Sequence, residues 1–173
     1  DAIELPSRLM ENFAWQWDVL YAMSRHRKSK EALPRTLFDR LFAAKNFQVG
    51  LKIIRQLGFL LFDLRIHSQE NRPWMDIYRE IQRQLSVLPQ ADYDRFPHAF
   101  THIFSGGYAA GYYSYLWAEV LSADAYDLFR RTEDRTKVGQ RFWQEVLSRG
   151  GSRPAYQSFV AFVGREPTTK ALL

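Results

Sequence analysis

The sequence predicts an all-α protein. Apolar residues return at three- and four-residue steps in nearly every segment. Prolines and paired glycines fall where such segments would start or stop. No hairpin turn and no alternating stretch of useful length interrupts them. The 173 residues contain no repeat or low-complexity tract and suit a single helical domain spanning 1–173.

Leu9, Phe13, Trp17, Leu20 and Tyr21 define a first amphipathic helix over residues 6–23, with Pro6 in the first turn, where its missing N–H is tolerated. Pro34 opens a second helix through Leu37, Leu41 and Phe42. A third, residues 46–66, is apolar on most sides and is expected to be buried nearly all round. Pro73 starts a fourth over 73–88, a loop covers 88–92, and a short helix is expected at Pro97. Gly106-Gly107 then precede a long helix to residue 131. A polar connection at 132–135 leads to a helix over 136–148 that Gly150-Gly151 stop. Ser152 is positioned to cap a last helix ending near Gly164, followed by a tail over 165–173.

The net charge is +5, and the densest basic run is SRHRKSK at 24–30; other arginines are scattered between apolar positions. That pattern reads as a solvated surface, so no nucleic-acid partner is expected. No apolar stretch is long enough to span a bilayer, so no membrane partner is expected either. The absence of cysteine and of a basic-then-apolar leader fits a cytoplasmic protein.

His98 and His102 are four residues apart, which on a helix would turn both imidazoles to one side as metal donors. The zinc-peptidase motif H-E-x-x-H also needs a Glu beside the first His, and Ala99 stands there. His102 therefore reads better as a hydrogen-bonding residue near a site. Glu4 suits a helix start, where the dipole favours a carboxylate, while Glu11 and Asn12 within the first helix suggest a buried polar network. Tyr108, Tyr112 and Tyr115 fall at helical spacing straight after Gly106-Gly107. Their face is either an aromatic core or a binding surface whose hydroxyls meet a ligand. Phenol and imidazole donors beside a glycine turn suit a developing oxyanion.

The stretch AIELPSRLMENF resembles the segment after the zinc-binding helix of the thimet oligopeptidase/oligopeptidase A family of zinc metallopeptidases. FTHIFSGGYAAGYYSYLWAEVLSADAYDLF resembles that family's C-terminal signature, and LFAAKNFQVGLKIIRQLGFLLFDLRIH and GGSRPAYQSFVAFVGREPTTKALL are similar to it as well, in the manner of its bacterial branch. The resemblance covers essentially the whole chain. It implies the multi-helix C-terminal portion of a zincin-like catalytic domain, acting on short peptide substrates. It also implies Glu4 as a zinc ligand, and His102, Tyr108 and Tyr115 as hydrogen-bond donors to the scissile carbonyl. Tyr112 would contact substrate, and Gly106-Gly107 would form the loop over it. Arg8 replaces the family's usual Gln after Pro-Ser. H-E-x-x-H is absent, the histidines being His26, His67, His98 and His102. The expectation is therefore that an N-terminal part of the peptidase is missing and that this chain alone binds zinc weakly and is inactive. Exposed apolar surface would then favour self-association. The alternative is a non-catalytic helical module that binds peptides or partners.

Overall fold

A computed structural model describes residues 2–68 and 71–172. The described residues form nine α-helices: α1 (Leu5–Ala14), α2 (Trp17–Met23), α3 (Arg35–Asn46), α4 (Val49–Ile66), α5 (Trp74–Leu85), α6 (Thr101–Phe104), α7 (Ser114–Arg131), α8 (Arg135–Phe142) and α9 (Ala155–Val163). No strand occurs among the described residues. The chain divides into two compact units, one combining the residues up to Phe42 with those from Ser114 onward, the other running from Ala43 to Tyr113.

In the first unit α1, α7, α8 and α9 share a core. Leu5 and Leu9, four apart, meet Leu121, Ala125 and Phe129, also four apart, and Phe142, Phe159 and Phe162 complete the cluster. Burying each large apolar side chain contributes about 1.5–3 kcal/mol. Phe13 sets its ring edge-on to Tyr126 and Phe129, at centroid distances of 5.3 and 5.2 Å.

The continuous helix expected over 6–23 is instead two. Trp15 and Gln16 close α1 with N–H bonds to Asn12 and Phe13, and Gln16 turns extended. Its amide donates to the Tyr126 hydroxyl at 2.6 Å and accepts from Arg135 at 3.5 Å. A tertiary anchor thus ends a helix whose periodicity carries on. The polar network expected at Glu11 and Asn12 is not buried: Glu11 pairs with Arg8 at 3.2 Å near the surface, and Asn12 donates to the Arg8 carbonyl at 2.9 Å. Helix α8 gives way to a π-helical turn over Trp143–Leu147. Gly164 ends α9 with φ 87°, a left-handed conformation that glycine adopts without a Cβ penalty.

Past Gly164 the chain is held by a buried carboxylate. Arg165 donates to both Asp124 oxygens at 2.6 and 2.7 Å, and Thr168 N–H adds a third bond at 2.9 Å. Burial pushes the Asp124 carboxyl up, but these bonds outweigh it and hold it below the usual carboxylate range. A carboxyl more acidic in the folded than the unfolded state stabilises fully above the unfolded value, about 3.9. That stability is lost as pH falls through the lower folded value. Below about pH 4 the melting temperature is expected to drop for this reason. Arg165→Ala should flatten that dependence and cost about 2–3 kcal/mol, below the figure for a fully buried pair because Arg165 is 47% exposed. Melting curves of both proteins across that window check it, and an acid dependence unchanged in the variant would refute it.

The second unit packs α4 on α5 around Phe59, Phe62, Ile77, Tyr78, Ile81, Phe100 and Ile103. Tyr78 donates to Asp94 at 2.9 Å, and burial together with that bond pushes its phenol up. Arg65 and Arg72 both reach Glu80, at 3.0 and 2.8 Å. Helix α4 is not buried all round. Gly58, Phe59, Phe62 and Asp63 face inward, while Leu57, Leu61 and Leu64 form an exposed stripe at 36–38%. One side packs on α5 and the aromatic cluster, and the other stays partly open to solvent.

Candidate active site

The site-bearing stretch of the second unit begins with a 3-10 turn, Phe96–Ala99, which the expected Pro97 opens. Phe100 then takes ψ 64°, so the chain does not stay helical from His98 to His102. The two imidazoles lie on separate elements, and the helical spacing that would make them paired metal donors is absent. His98 sits edge-on to Trp74 at 4.6 Å.

His102 lies on α6, a single turn. The N–H groups of Ser105 and Gly106 both reach the Thr101 carbonyl at 2.8 Å, and Tyr108 N–H reaches the His102 carbonyl at 3.0 Å. Gly106 is required here: a Cβ would stand 2.8 Å from His102 Cα and 2.9 Å from its carbonyl oxygen. Gly107, at φ 82°, lies in the left-handed region. The chain therefore turns back on itself directly after His102.

The long helix expected straight after the glycines starts only at Ser114. Residues 105–113 form a loop instead, with Ala110 left-handed at φ 53° and Gly111 N–H on the Tyr108 carbonyl at 2.8 Å. Tyr108 and Tyr112 are loop residues and do not share a helix face with Tyr115. The loop still gathers them with His102, whose ring lies 6.2 Å from Tyr108 and 6.2 Å from Tyr112. Tyr112 packs edge-on against Phe100 at 5.1 Å and Phe59 at 6.1 Å, and its hydroxyl donates to Gln56 of α4 at 3.1 Å. His102 is exposed and Tyr108 half-buried, so an imidazole and a phenol stand side by side on an aromatic base. Such a pair of donors can receive a carbonyl oxygen as it gains negative charge.

Glu4 and Tyr115 belong to the first unit. Glu4 occupies the N-cap position of α1, half-buried, its Oε2 accepting from the Ser7 hydroxyl at 2.9 Å. Tyr115 is the second residue of α7. Arg8 lies 3.6 Å from Glu119 and Phe13 5.3 Å from Tyr126, so α1 and α7 run in the same direction. One helical turn back from the Arg8–Glu119 pair are Glu4 and Tyr115. Both therefore lie at the shared N-terminal end of two parallel helices.

Reading residues in isolation overlooked Asp63 and Gln56. Asp63 is the lone carboxylate of α4, in the apolar context GFLLFDLRI. That was a readable signal, since a buried carboxylate demands partners.

The model of peptidase family M3 matches residues 1–173. Oligopeptidase A of Salmonella typhimurium is 48% identical over 178 residues, covering 100% of this chain and 26% of that protein. Oligopeptidase A of Escherichia coli is 47% identical with the same coverage. The probable cytosolic oligopeptidase A of Arabidopsis thaliana is 42% identical over 182 residues, again 100% of this chain and 26% of its own length. The chain thus spans about a quarter of the length of the curated relatives it matches.

Proposed function

Because the chain belongs to peptidase family M3, we propose that it is the C-terminal helical part of a zinc-dependent oligopeptidase catalytic domain that cleaves short peptides. The observation that carries this reading furthest is that α1 and α7 pack on each other, with Glu4 at the N-cap of one and Tyr115 in the first turn of the other. His102 and Tyr108, beside each other on the glycine loop, support it independently.

In this reading Tyr108, Tyr115 and His102 each donate a hydrogen bond to the substrate carbonyl oxygen as its carbon becomes tetrahedral. A donor held in place beforehand favours the charged state over the neutral ground state, which is what lowers the barrier. The ring of Tyr112, fixed by its aromatic neighbours, contacts the substrate, and Gly106-Gly107 let the backbone approach it. The substrate is a short peptide, the class that the relatives' name, oligopeptidase, states of them.

Zinc is a family-level expectation. A catalytic zinc takes three protein ligands and keeps one position open. Among the described residues no group of three or more His, Cys, Asp or Glu could hold a metal. This chain by itself therefore does not fit the ion; Glu4 offers one ligand. The remaining ligands are expected from the rest of the peptidase. That partner would also cover the exposed Leu57, Leu61 and Leu64 stripe of α4. The compartment proposed is the cytoplasm, which the name of the Arabidopsis thaliana relative, probable cytosolic oligopeptidase A, states of that protein. Recovery of the intact enzyme in a membrane or extracellular fraction would overturn that assignment.

Purified alone, the chain is expected to self-associate, to leave a quenched fluorescent peptide uncut with or without a chelator, and to show no submicromolar zinc site by calorimetry. Chelator-sensitive cleavage or tight stoichiometric zinc would mean that the missing ligands are replaced, and the reading of the chain as a part would fail. Sedimentation as a monomer only would argue against the apolar stripe as a docking face.

A further inference from the structure

One carboxylate fastens the glycine–tyrosine loop to α4, and the chemistry proposed above gives it no task. Asp63 is completely buried. Its Oδ1 accepts from Ala110 N–H at 2.9 Å and its Oδ2 from Tyr112 N–H at 2.9 Å. His67, the residue just past the end of α4, places Nδ1 at hydrogen-bond distance, 2.9 Å, from the Asp63 carbonyl and within 2.9 Å of the same Oδ1. Two of these bonds hold backbone groups on either side of Gly111, and one of those groups belongs to Ala110 in its left-handed conformation. A non-glycine residue keeps that conformation only where its surroundings impose it. Gln56, two turns before Asp63 on α4, takes the Tyr112 hydroxyl at 3.1 Å. Helix α4 therefore grips Tyr112 at both its backbone and its ring.

Resting on the assignment of Tyr108 as an oxyanion donor, we propose that Asp63 is a positioning residue for the reaction. By clamping Ala110 and Tyr112, it fixes the loop in which Tyr108 stands beside His102. The task requires a carboxylate. Both oxygens must accept, bonds to an ionised acceptor are the strong ones, and an Asn would turn its amide nitrogen toward one of the two N–H groups. Leucine or valine, the usual occupants of a buried position in such a helix, would leave both N–H groups without an acceptor.

The test has two independent arms. In the chain itself, Asp63→Asn should raise hydrogen exchange at the Ala110 and Tyr112 amides by at least about tenfold while the helices stay protected. His67→Ala, which leaves both N–H bonds in place and serves if the first variant fails to fold, should raise it by a smaller factor. Exchange unchanged in these variants would overturn the clamp. In an intact enzyme, made by seating this chain in the matching quarter of the Escherichia coli relative, Asp63→Asn should lower kcat about 10- to 100-fold with little change in KM. The same substitution in a Tyr108→Phe background should cost much less, because the group it positions is already gone. An equal loss in both backgrounds would make Asp63 merely structural and overturn the positioning role. If Tyr108→Phe alone left kcat intact, the oxyanion assignment would fail, and the positioning role with it. The exchange arm would still decide whether the clamp exists.

Discussion

Tyr115→Phe, made in the same intact enzyme, is expected to lower kcat by about two to three orders of magnitude, the range seen when one oxyanion donor is removed. The substitution deletes one hydroxyl and leaves the ring. Tyr115 is half-buried at the start of α7, one turn before Ala118, which is fully buried against the core. Ala118 keeps holding the helix start when the hydroxyl is removed, and the loss of one hydroxyl hydrogen bond should cost the fold about 1 kcal/mol. KM should change little, since the bond strengthens only as charge develops on the carbonyl oxygen. Steady-state kinetics of a fluorescent peptide, with melting curves beside them, separate these effects. A variant with wild-type kcat would remove Tyr115 from the chemistry. A kcat loss matched by a collapsed melting temperature would make its role structural.

Glu4→Gln has the second large expected effect. Gln retains an oxygen that can accept from Ser7, whose hydroxyl bonds Glu4 at 2.9 Å, so the start of α1 should survive. What is lost is the negative charge. Replacing even an outer-shell partner of a metal typically costs 10–100-fold in affinity, so loss of a direct carboxylate ligand should cost at least about 100-fold. Competition with a chelator reads the zinc affinity of the intact enzyme without any substrate, and circular dichroism checks that the helices remain. Wild-type affinity in Glu4→Gln would exclude Glu4 as a ligand and leave it as the N-cap residue of α1.

Most helices were legible because their causes are local. Pro34 and Pro73 each stand directly before a helix, Gly164 ends one, and the spacing of Leu5 and Leu9 or of Ile77 and Ile81 marks the buried side. The candidate residues were legible in a different way, through the resemblance of whole segments. Their residue types alone left the tyrosines open between core and binding surface. The loop was misjudged because Tyr108, Tyr112 and Tyr115 have helical spacing, while the donors that decide the matter are backbone N–H groups, which carry no sequence signature.

By itself the sequence determined the all-α class, most helix boundaries and family membership, since periodicity, proline, glycine and segment identity are properties of neighbours along the chain. Only the tertiary structure decided that α1 breaks at Gln16, that α7 starts at Ser114, that α4 keeps an exposed stripe, and that the helices starting at Glu4 and just before Tyr115 pack on each other. Each depends on a group distant in sequence. Gln16 is taken by Tyr126, 110 residues on, and Ala110 by Asp63, 47 residues back. A helix continues only while its own carbonyls are the best acceptors its N–H groups can find. In the loop after Gly107 a buried carboxylate was the better one.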